Sequence, residues 1–246
     1  MLTMKFSTRC RKLLFGIALF LISLPAPAQS PAEMPKEKGT FRQPDLVELV
    51  KLDPTIKLDI RYAGSNNFVG KPVYTEARAF LQRPAAEALA RINQGLRKKG
   101  YGLLVFDGYR PWAVTKIFWD ITPPDKKQFV ANPAQGSRHN RGCAVDLSLF
   151  DLKTGKEVEM PGAYDEMTER SHPNYKGGTA EQRKMRDLLR AAMEADGFKV
   201  FDVEWWHFDF KDWREYPILN ISFDQIGGQA APKIRDRKPK ISPPGR

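Results

Sequence analysis

Two histidines occur close to carboxylates in this sequence, in combinations that suit a metal ion. His139 lies in a glycine-containing stretch and Asp146 follows seven residues later, while Glu204 precedes His207 by three residues among bulky aromatic side chains. Two imidazoles and one carboxylate are a common ligand set for catalytic zinc, which keeps a fourth position open for water. A free carboxylate nearby can take a proton from that water. These four residues are therefore candidates for a hydrolytic zinc site.

The spacing within each pair predicts how the candidates are positioned. Residues 143–150 alternate, with Asp146 and Ser148 on one face of a predicted strand and apolar side chains on the other. Glu204 and His207 are an odd number of positions apart, so on a regular strand their side chains would lie on opposite faces. A bend or bulge between them is required if both belong to one site.

Each candidate also has a purely structural explanation. A histidine beside tryptophans is more often a packed, hydrogen-bonded core residue than a metal ligand. Asp146 could be a carboxylate on a half-exposed strand, and Glu204 a charge that precedes one. Cys143 is another candidate ligand near His139, although the alternation places its thiol on the apolar face. Spacing alone leaves these alternatives open.

The elements that must position these residues follow from periodicity and from capping signals. Helices are predicted over residues 84–99 and, after a capping box formed by Thr179 and Gln182, up to Gly197. Strands are predicted over residues 56–62, with Tyr62 on the inner face, and over residues 103–106, 143–150 and 203–210. Helices flanking a mostly antiparallel sheet, with a zinc cleft, give a single-domain α+β fold.

The two ends of the chain differ in composition from its middle. Residues 1–28 combine four basic residues, an apolar run and an Ala-Pro-Ala segment, which predicts a secretory signal peptide. The apolar run of 12 residues is shorter than the ~20 of a spanning helix, so no stable membrane span is expected after signal cleavage. Residues 230–246 are basic and proline-rich, which predicts a disordered tail. We assign residues 29–41 to an N-terminal linker and residues 42–229 to the zinc-binding catalytic domain.

Charge and cysteine content exclude two other classes of protein. Of the formal net charge of +11, residues 1–28 carry +4 and residues 230–246 carry +5, which leaves +2 for the middle of the chain. A nearly neutral body argues against a nucleic-acid-binding face. Cys10 lies in the predicted signal peptide, so Cys143 has no partner for a disulfide in the mature chain. The sequence gives no prediction of the oligomeric state.

Two ordered motifs connect the candidate site to a known family. Residues 137–146 fit the pattern Ser-x-His-x-x-Gly-x-Ala-x-Asp, and residues 204–207 fit Glu-x-Trp-His. This combination resembles the D-alanyl-D-alanine dipeptidases, zinc metallopeptidases known from vancomycin resistance, which have exported relatives. The resemblance covers about residues 43–217 and includes four further segments: Tyr62-Ala63, Asn66-Asn67-Phe68-x-Gly70, Asp107-Gly108-Tyr109-Arg110-Pro111 and residues 164–172.

The resemblance implies a role for each of the four candidates. One zinc ion per chain would be bound by His139, Asp146 and His207. Glu204 would be the catalytic base, activating the attacking water and later delivering a proton to the leaving amine.

The resemblance also implies four residues that contact the substrate. Arg110 would stabilise the transition state, because a fixed guanidinium can share the developing oxyanion charge with zinc. A structural ion pair between Arg110 and Asp107 is the alternative, and the two roles are compatible. Asp165 would bind the free ammonium of the substrate, with Tyr62 and Ser137 as further residues of the substrate pocket.

The function implied by the resemblance is hydrolysis of the small dipeptide D-alanyl-D-alanine to two D-alanines during cell-wall turnover. The predicted signal peptide indicates export to the periplasm, where salvage of released dipeptide fits better than a cytoplasmic role in resistance. A zinc D,D- or L,D-carboxypeptidase that trims peptidoglycan peptides is the enzymatic alternative, and a non-catalytic wall-binding protein is the other. Asp165 favours the dipeptidase, because a carboxylate that binds a free amino terminus excludes longer peptides. Glu204 and Arg110 argue against a binding protein, since binding alone requires neither.

Overall fold

A five-stranded sheet forms the centre of the protein and carries Asp146 and His207 on neighbouring strands. The computed structural model describes residues 33–226. The predicted signal peptide, residues 1–28, and the predicted basic tail, residues 230–246, lie outside the described residues, as does the beginning of the predicted linker.

Short strands and four α-helices make up the regular structure of residues 33–226. The strands are β1 (Leu46–Glu48), β2 (Lys57–Leu58), β3 (Phe80–Gln82), β4 (Tyr101–Asp107), β5 (Ala144–Asp151), β6 (Phe198–Phe201) and β7 (Glu204–Phe210). The α-helices are α1 (Leu49–Leu52), α2 (Arg83–Arg97), α3 (Trp112–Ile121) and α4 (Ala180–Ala195). Short 3-10 helices occupy Arg61–Ala63, Pro124–Phe129, His139–Arg141, Glu169–Ser171, Trp213–Glu215 and Phe223–Gln225.

The strand order of the central sheet is β2-β4-β5-β7-β6. Strand β2 runs parallel to β4, and the other pairs in this sheet are antiparallel. Strands β1 and β3 form a separate antiparallel pair. The single-domain α+β fold with a mostly antiparallel sheet, predicted from the sequence, is confirmed.

Helices α2 and α4 cover the apolar face of the sheet. Helix α2 packs against β4, α4 packs against β6, and the two helices contact each other. From β5, Val145 and Leu147 point into the same hydrophobic core and are fully buried. Because side chains alternate along a strand, Asp146 points to the opposite face. The predicted alternation over residues 143–150 therefore positions Asp146 away from the core.

Local signals in the sequence set the ends of both long helices. Pro84 lies in the first turn of α2, where its missing N–H costs no hydrogen bond. Gly100, with φ of 87°, follows the end of α2 and allows the tight turn into β4. Thr179 and Gln182 form the predicted capping box at the start of α4.

The strand predicted over residues 56–62 is wrong in length. Strand β2 contains only Lys57–Leu58, and the chain then turns into the 3-10 helix at Arg61–Ala63. The side chain of Asn67 donates to the carbonyl of Arg61 at 3.0 Å and to that of Gly64 at 2.7 Å, which stabilises the turn. Tyr62 is nevertheless buried, so its inward orientation was predicted correctly.

The stretch before β1 is attached to the loop that carries His139. Glu37 pairs with the guanidinium of Arg141 and accepts a hydrogen bond from the backbone N–H of Ile218 at 2.6 Å. Within residues 33–226, no helix is both long enough and apolar enough to span a bilayer.

Candidate metal centre and active site

The three predicted ligands converge on one point at the polar face of the sheet. Asp146 on β5 is directly opposite His207 on β7 in the strand pairing, and His139 lies in the 3-10 helix before β5. Asp146 Oδ1 is 3.3 Å from His139 Nε2 and 3.1 Å from His207 Nδ1. The two ring nitrogens are 3.1 Å apart. All three side chains are buried.

Hydrogen bonds on the outer edges of the two imidazoles fix which nitrogen faces the centre. His139 Nδ1 lies 2.7 Å from the carbonyl oxygen of Gly108, which can only accept, so Nδ1 carries the proton. His207 Nε2 lies 2.9 Å from Asp209 Oδ1 and donates to it in the same way. When both rings are neutral, as in metal ligands, His139 Nε2 and His207 Nδ1 are therefore the nitrogens whose lone pairs face the centre.

The geometry of these three atoms fits a tetrahedral metal ion. Within residues 33–226, Asp146 Oδ1 is buried and has no hydrogen-bond partner, whereas its Oδ2 accepts from the Tyr164 hydroxyl at 3.1 Å. Ligands held about 2.0–2.1 Å from zinc in a tetrahedron lie about 3.3–3.4 Å apart, close to the observed separations. The site can therefore hold a metal ion.

The electrostatics of the centre favour a positive charge. Burial opposes the charged form of His207, but Asp209 and Asp146 outweigh it and raise its pKa to about 10. Burial alone would raise the pKa of Asp146. The neighbouring imidazoles outweigh this effect and hold the pKa of this carboxyl well below its usual range. The centre thus keeps Asp146 ionised and attracts a cation.

A bulge brings Glu204 to the same site as His207. In the β6–β7 pairing Val200 is opposite Phe208, but the next residue, Phe201, is opposite Glu204. This shift lets Glu204 Oε2 approach His207 Nδ1 to 3.8 Å, as the odd spacing required. Burial, with Asp146 adding to it, raises the pKa of Glu204 to about 8, near the range of an effective general base.

Arg110 is held rigidly in the cleft by Asp107. Its Nε and Nη2 lie 2.9 and 2.8 Å from Asp107 Oδ2, and Nη2 is 3.6 Å from Asp146 Oδ2. The guanidinium also faces the rings of Phe118 at 4.6 Å and Tyr62 at 5.4 Å. The structural ion pair considered from the sequence is present, and it fixes Arg110 beside the candidate metal centre.

Buried polar contacts fix the loop that carries His139. The side chain of Asn140 donates to the carbonyl of Arg110 and to the hydroxyl of Thr115, and it accepts from the backbone N–H of Ser137. The Ser137 hydroxyl accepts from the backbone N–H of His139 at 3.2 Å. Gly142 ends the turn with φ of 66°, a left-handed conformation that glycine adopts without strain.

Asp165 adopts an unusual backbone conformation at the edge of the centre. It has φ of 59°, the one positive value at a non-glycine residue within residues 33–226. The Tyr62 hydroxyl is 2.9 and 3.1 Å from its two carboxyl oxygens. Burial, followed by the charge of Asp146, raises the pKa of Asp165 to about 7. A desolvated carboxyl at this position would gain from a cationic ligand.

One cleft, with a volume of about 110 Å³, is lined by all the residues assigned to the site from the sequence. They are Tyr62, Arg110, Ser137, His139, Asp146, Asp165, Glu204 and His207. Their assigned roles stay predictions, but the structure brings the whole set together. Cys143, the alternative ligand, is fully buried in the hydrophobic core and does not belong to the ligand group.

Several residues of the site were not identified from the sequence. The Tyr164 hydroxyl donates a hydrogen bond to Asp146. The carbonyl of Gly108 accepts from His139, and Asp209 accepts from His207. The positions of Tyr164 and Gly108 depend on loop geometry, which periodicity does not encode. The contact of Asp209 could have been predicted, because residues two positions apart on a strand, such as His207 and Asp209, project from the same face.

Comparison with known proteins places the chain among the metallopeptidases. A family model described as D-ala-D-ala dipeptidase, Peptidase_M15, matches residues 42–224. The chain belongs to this family, which confirms the resemblance inferred from its motifs.

Two curated relatives illustrate the extent of the similarity. The D-alanyl-D-alanine dipeptidase of Escherichia coli K12 is 35% identical over 179 residues, which cover 73% of this chain and 91% of the relative. The enzyme of the same name from Enterococcus faecium is 36% identical over 187 residues, covering 69% and 91%. A solved structure of the vancomycin-resistance D,D-dipeptidase VanXYg is 17% identical, with a TM-score of 0.37 over 68% of this chain and 66% of that one.

We predict that Asp165→Asn stabilises the metal-free protein at neutral and higher pH. The folded-state pKa of about 7 exceeds the ordinary value of 3.8, so ionising Asp165 costs folded-state stability as pH rises from about 4 to about 7. Asparagine removes this cost and tolerates positive φ. Thermal unfolding at pH 8 should show a Tm higher by at least about 2–4 °C, or roughly 1 kcal/mol, with a smaller difference at pH 5.

The control for this prediction is Glu87→Gln, which neutralises an exposed carboxylate on α2. It should change Tm little at either pH. Equal Tm values for Asp165→Asn and the unmodified protein at pH 8 would show that Asp165 is not desolvated.

Proposed function

We propose that the protein is a zinc-dependent dipeptidase that hydrolyses D-alanyl-D-alanine to two D-alanines. The observation that carries the proposal is the convergence of His139 Nε2, Asp146 Oδ1 and His207 Nδ1 at 3.1–3.3 Å, next to Glu204. Membership of the dipeptidase family and the names of the curated relatives support the choice of substrate.

Zinc is the metal that best suits the donor atoms. Two imidazole nitrogens and one carboxylate oxygen at tetrahedral separations are a typical zinc set, whereas magnesium and calcium prefer oxygen ligands. A zinc ion bound by His139, Asp146 and His207, one per chain, would supply Lewis acidity to polarise the peptide carbonyl and to acidify water.

Glu204 is the residue proposed to move the proton. Its carboxylate takes a proton from the attacking water and returns it to the nitrogen of the leaving D-alanine when the peptide bond breaks. A group that accepts and then donates a proton works best with a pKa near the working pH. Burial, which raises the pKa of Glu204, supports this role.

Arg110 is proposed to stabilise the negative charge that develops on the peptide oxygen. Its guanidinium lines the cleft and is fixed by Asp107, so it needs no reorganisation during the reaction. Preorganised cations of this kind are effective because little water competes with them.

The substrate end of the cleft is proposed to select a free dipeptide. The carboxylate of Asp165, positioned by Tyr62, would pair with the substrate ammonium, and Ser137 would line the pocket beside His139. A carboxypeptidase has no need for a buried carboxylate that requires a free amino terminus.

Export and a role in cell-wall turnover complete the proposal. The basic, apolar and small-residue segments of residues 1–28 support a secretory signal peptide and a periplasmic location. In that compartment the enzyme would act on D-alanyl-D-alanine released from peptidoglycan and return D-alanine for reuse.

Replacing Glu204 by glutamine tests the assignment of the base. The amide keeps the shape of the side chain but cannot accept the proton, so kcat should fall by about 10²–10⁴-fold while the zinc content stays at about one per chain. Steady-state kinetics and metal analysis give the two readouts. Glu159→Gln, which changes an exposed carboxylate, is the control and should keep normal turnover. Loss of zinc from Glu204→Gln would instead make Glu204 a ligand.

The length of the substrate tests the assignment of Asp165. Acetylating the amino group of D-alanyl-D-alanine removes the charge that pairs with Asp165 and leaves the carboxylate buried without a partner. Breaking such a pair costs about 3–5 kcal/mol, so kcat/KM should fall by a few hundredfold or more. Asp165→Asn should slow cleavage of the free dipeptide and change cleavage of the acetylated dipeptide little. The difference in kcat/KM between the two substrates should therefore become smaller. Comparable kcat/KM values for both substrates in the unmodified enzyme would favour the carboxypeptidase.

A further inference from the structure

Asp209 contacts the outer edge of the His207 ring. It lies two positions after His207 on β7, so both side chains project from the same face. Asp209 Oδ1 accepts from His207 Nε2 at 2.9 Å. The backbone of Asp209 is held on both sides, because it pairs with Ala144 of β5 and with Lys199 of β6. The carboxylate is thus attached to a rigid part of the sheet.

This contact determines which nitrogen of His207 is free to bind a metal. An ionised carboxylate only accepts hydrogen bonds, so Nε2 carries a proton, and the neutral, metal-binding form of His207 has its lone pair on Nδ1. Nδ1 is the atom that lies 3.1 Å from both Asp146 Oδ1 and His139 Nε2. His139 has the opposite tautomer, fixed by a backbone carbonyl instead of a side chain.

Arg138 faces the second oxygen of Asp209. Its Nε is 3.5 Å from Asp209 Oδ2, and its guanidinium lies over the ring of Trp213 at 4.7 Å. Within residues 33–226, the buried Nε has no hydrogen-bond partner, which leaves Asp209 as the anion it faces. Arg138 immediately precedes His139, so this ion pair connects the loop of one candidate ligand to the strand of the other.

Asp209 is placed to act through His207 alone. It does not line the cleft and does not belong to the group of ligand atoms that converge there. Because it binds the edge of the ring opposite Nδ1, the imidazole separates it from the candidate metal position. A role as ligand or as catalytic base is therefore excluded by its position.

We infer that Asp209 is a positioning residue that holds the Nδ1-binding tautomer and ring orientation of His207. The inference rests on the zinc site of the proposed function. Partners of this kind raise metal affinity by about 10–100-fold in other zinc proteins. We expect Asp209 to raise the zinc affinity of this protein by the same factor.

Zinc affinity, measured by competition with a chromophoric chelator, tests the inference on the full chain. Asp209→Ala should weaken zinc binding by about 10–100-fold. Asp209→Asn keeps an oxygen that can accept from Nε2, so it should recover most of the affinity. Asp212→Ala is the matched control, because it removes a nearby carboxylate that pairs with Arg42 instead of a histidine. This control should bind zinc like the unmodified protein.

A second measurement needs no variant and does not depend on whether Asp209→Ala folds. The chain has three histidines, so nitrogen NMR of the zinc-loaded, unmodified protein resolves few imidazole signals. His207 should carry its proton on Nε2, and His139 should carry its proton on Nδ1. A proton on Nδ1 of His207, with zinc on Nε2, would overturn the inference.

The outcomes separate this inference from the proposed function. If the unmodified protein binds no zinc, the proposed function fails, and the role of Asp209 fails with it. If the unmodified protein binds zinc and Asp209→Ala binds it equally well, only the role of Asp209 is refuted. Affinity as low in Asp209→Asn as in Asp209→Ala would also refute it, since charge rather than the hydrogen bond would then matter.

Discussion

The crowding of three potential ligand atoms is the constraint on which the rest of the site depends. His139 Nε2, Asp146 Oδ1 and His207 Nδ1 lie 3.1–3.3 Å apart and face one another. Each residue uses its other polar atom elsewhere, and those outer contacts hold the arrangement in place. A cation at the centre of this cluster would contact all three atoms at once. The pairing of β5 with β7, which places Asp146 opposite His207, is the part of the fold that creates it.

Around this centre the protein buries several carboxyl groups. Asp165 and Glu204 have pKa values raised to about 7 and 8, because burial and the charge of Asp146 both oppose their ionisation. Arg110 offsets part of this charge and is tied to Asp107. A divalent cation and a substrate ammonium would offset much of what remains. This electrostatic arrangement therefore suits the metal and the substrate ammonium that we propose.

The sequence predicted those parts of the fold that depend on local periodicity. The strand over residues 143–150, helix α2 and the capping box of α4 were all found, because their signals lie within one segment. The prediction of a strand over residues 56–62 was wrong in length, because the side chain of Asn67 stabilises a turn that the alternation of apolar residues does not reveal. The need for a bulge near Glu204 was predicted, but its register depends on the partner strand β6. The contacts of Asp209 and Gly108 with the histidines likewise appear only when distant strands and loops are assembled.

Zinc K-edge X-ray absorption on the purified, zinc-loaded protein tests the central claim most directly, because it identifies the ligand atoms themselves. The account predicts two imidazole nitrogens and oxygen ligands at about 2.0–2.2 Å, in four coordination, with no sulfur. A sulfur ligand at about 2.3 Å would place the metal on Cys143, and a shell without imidazole would remove it from His139 and His207. Either spectrum would contradict the site described here.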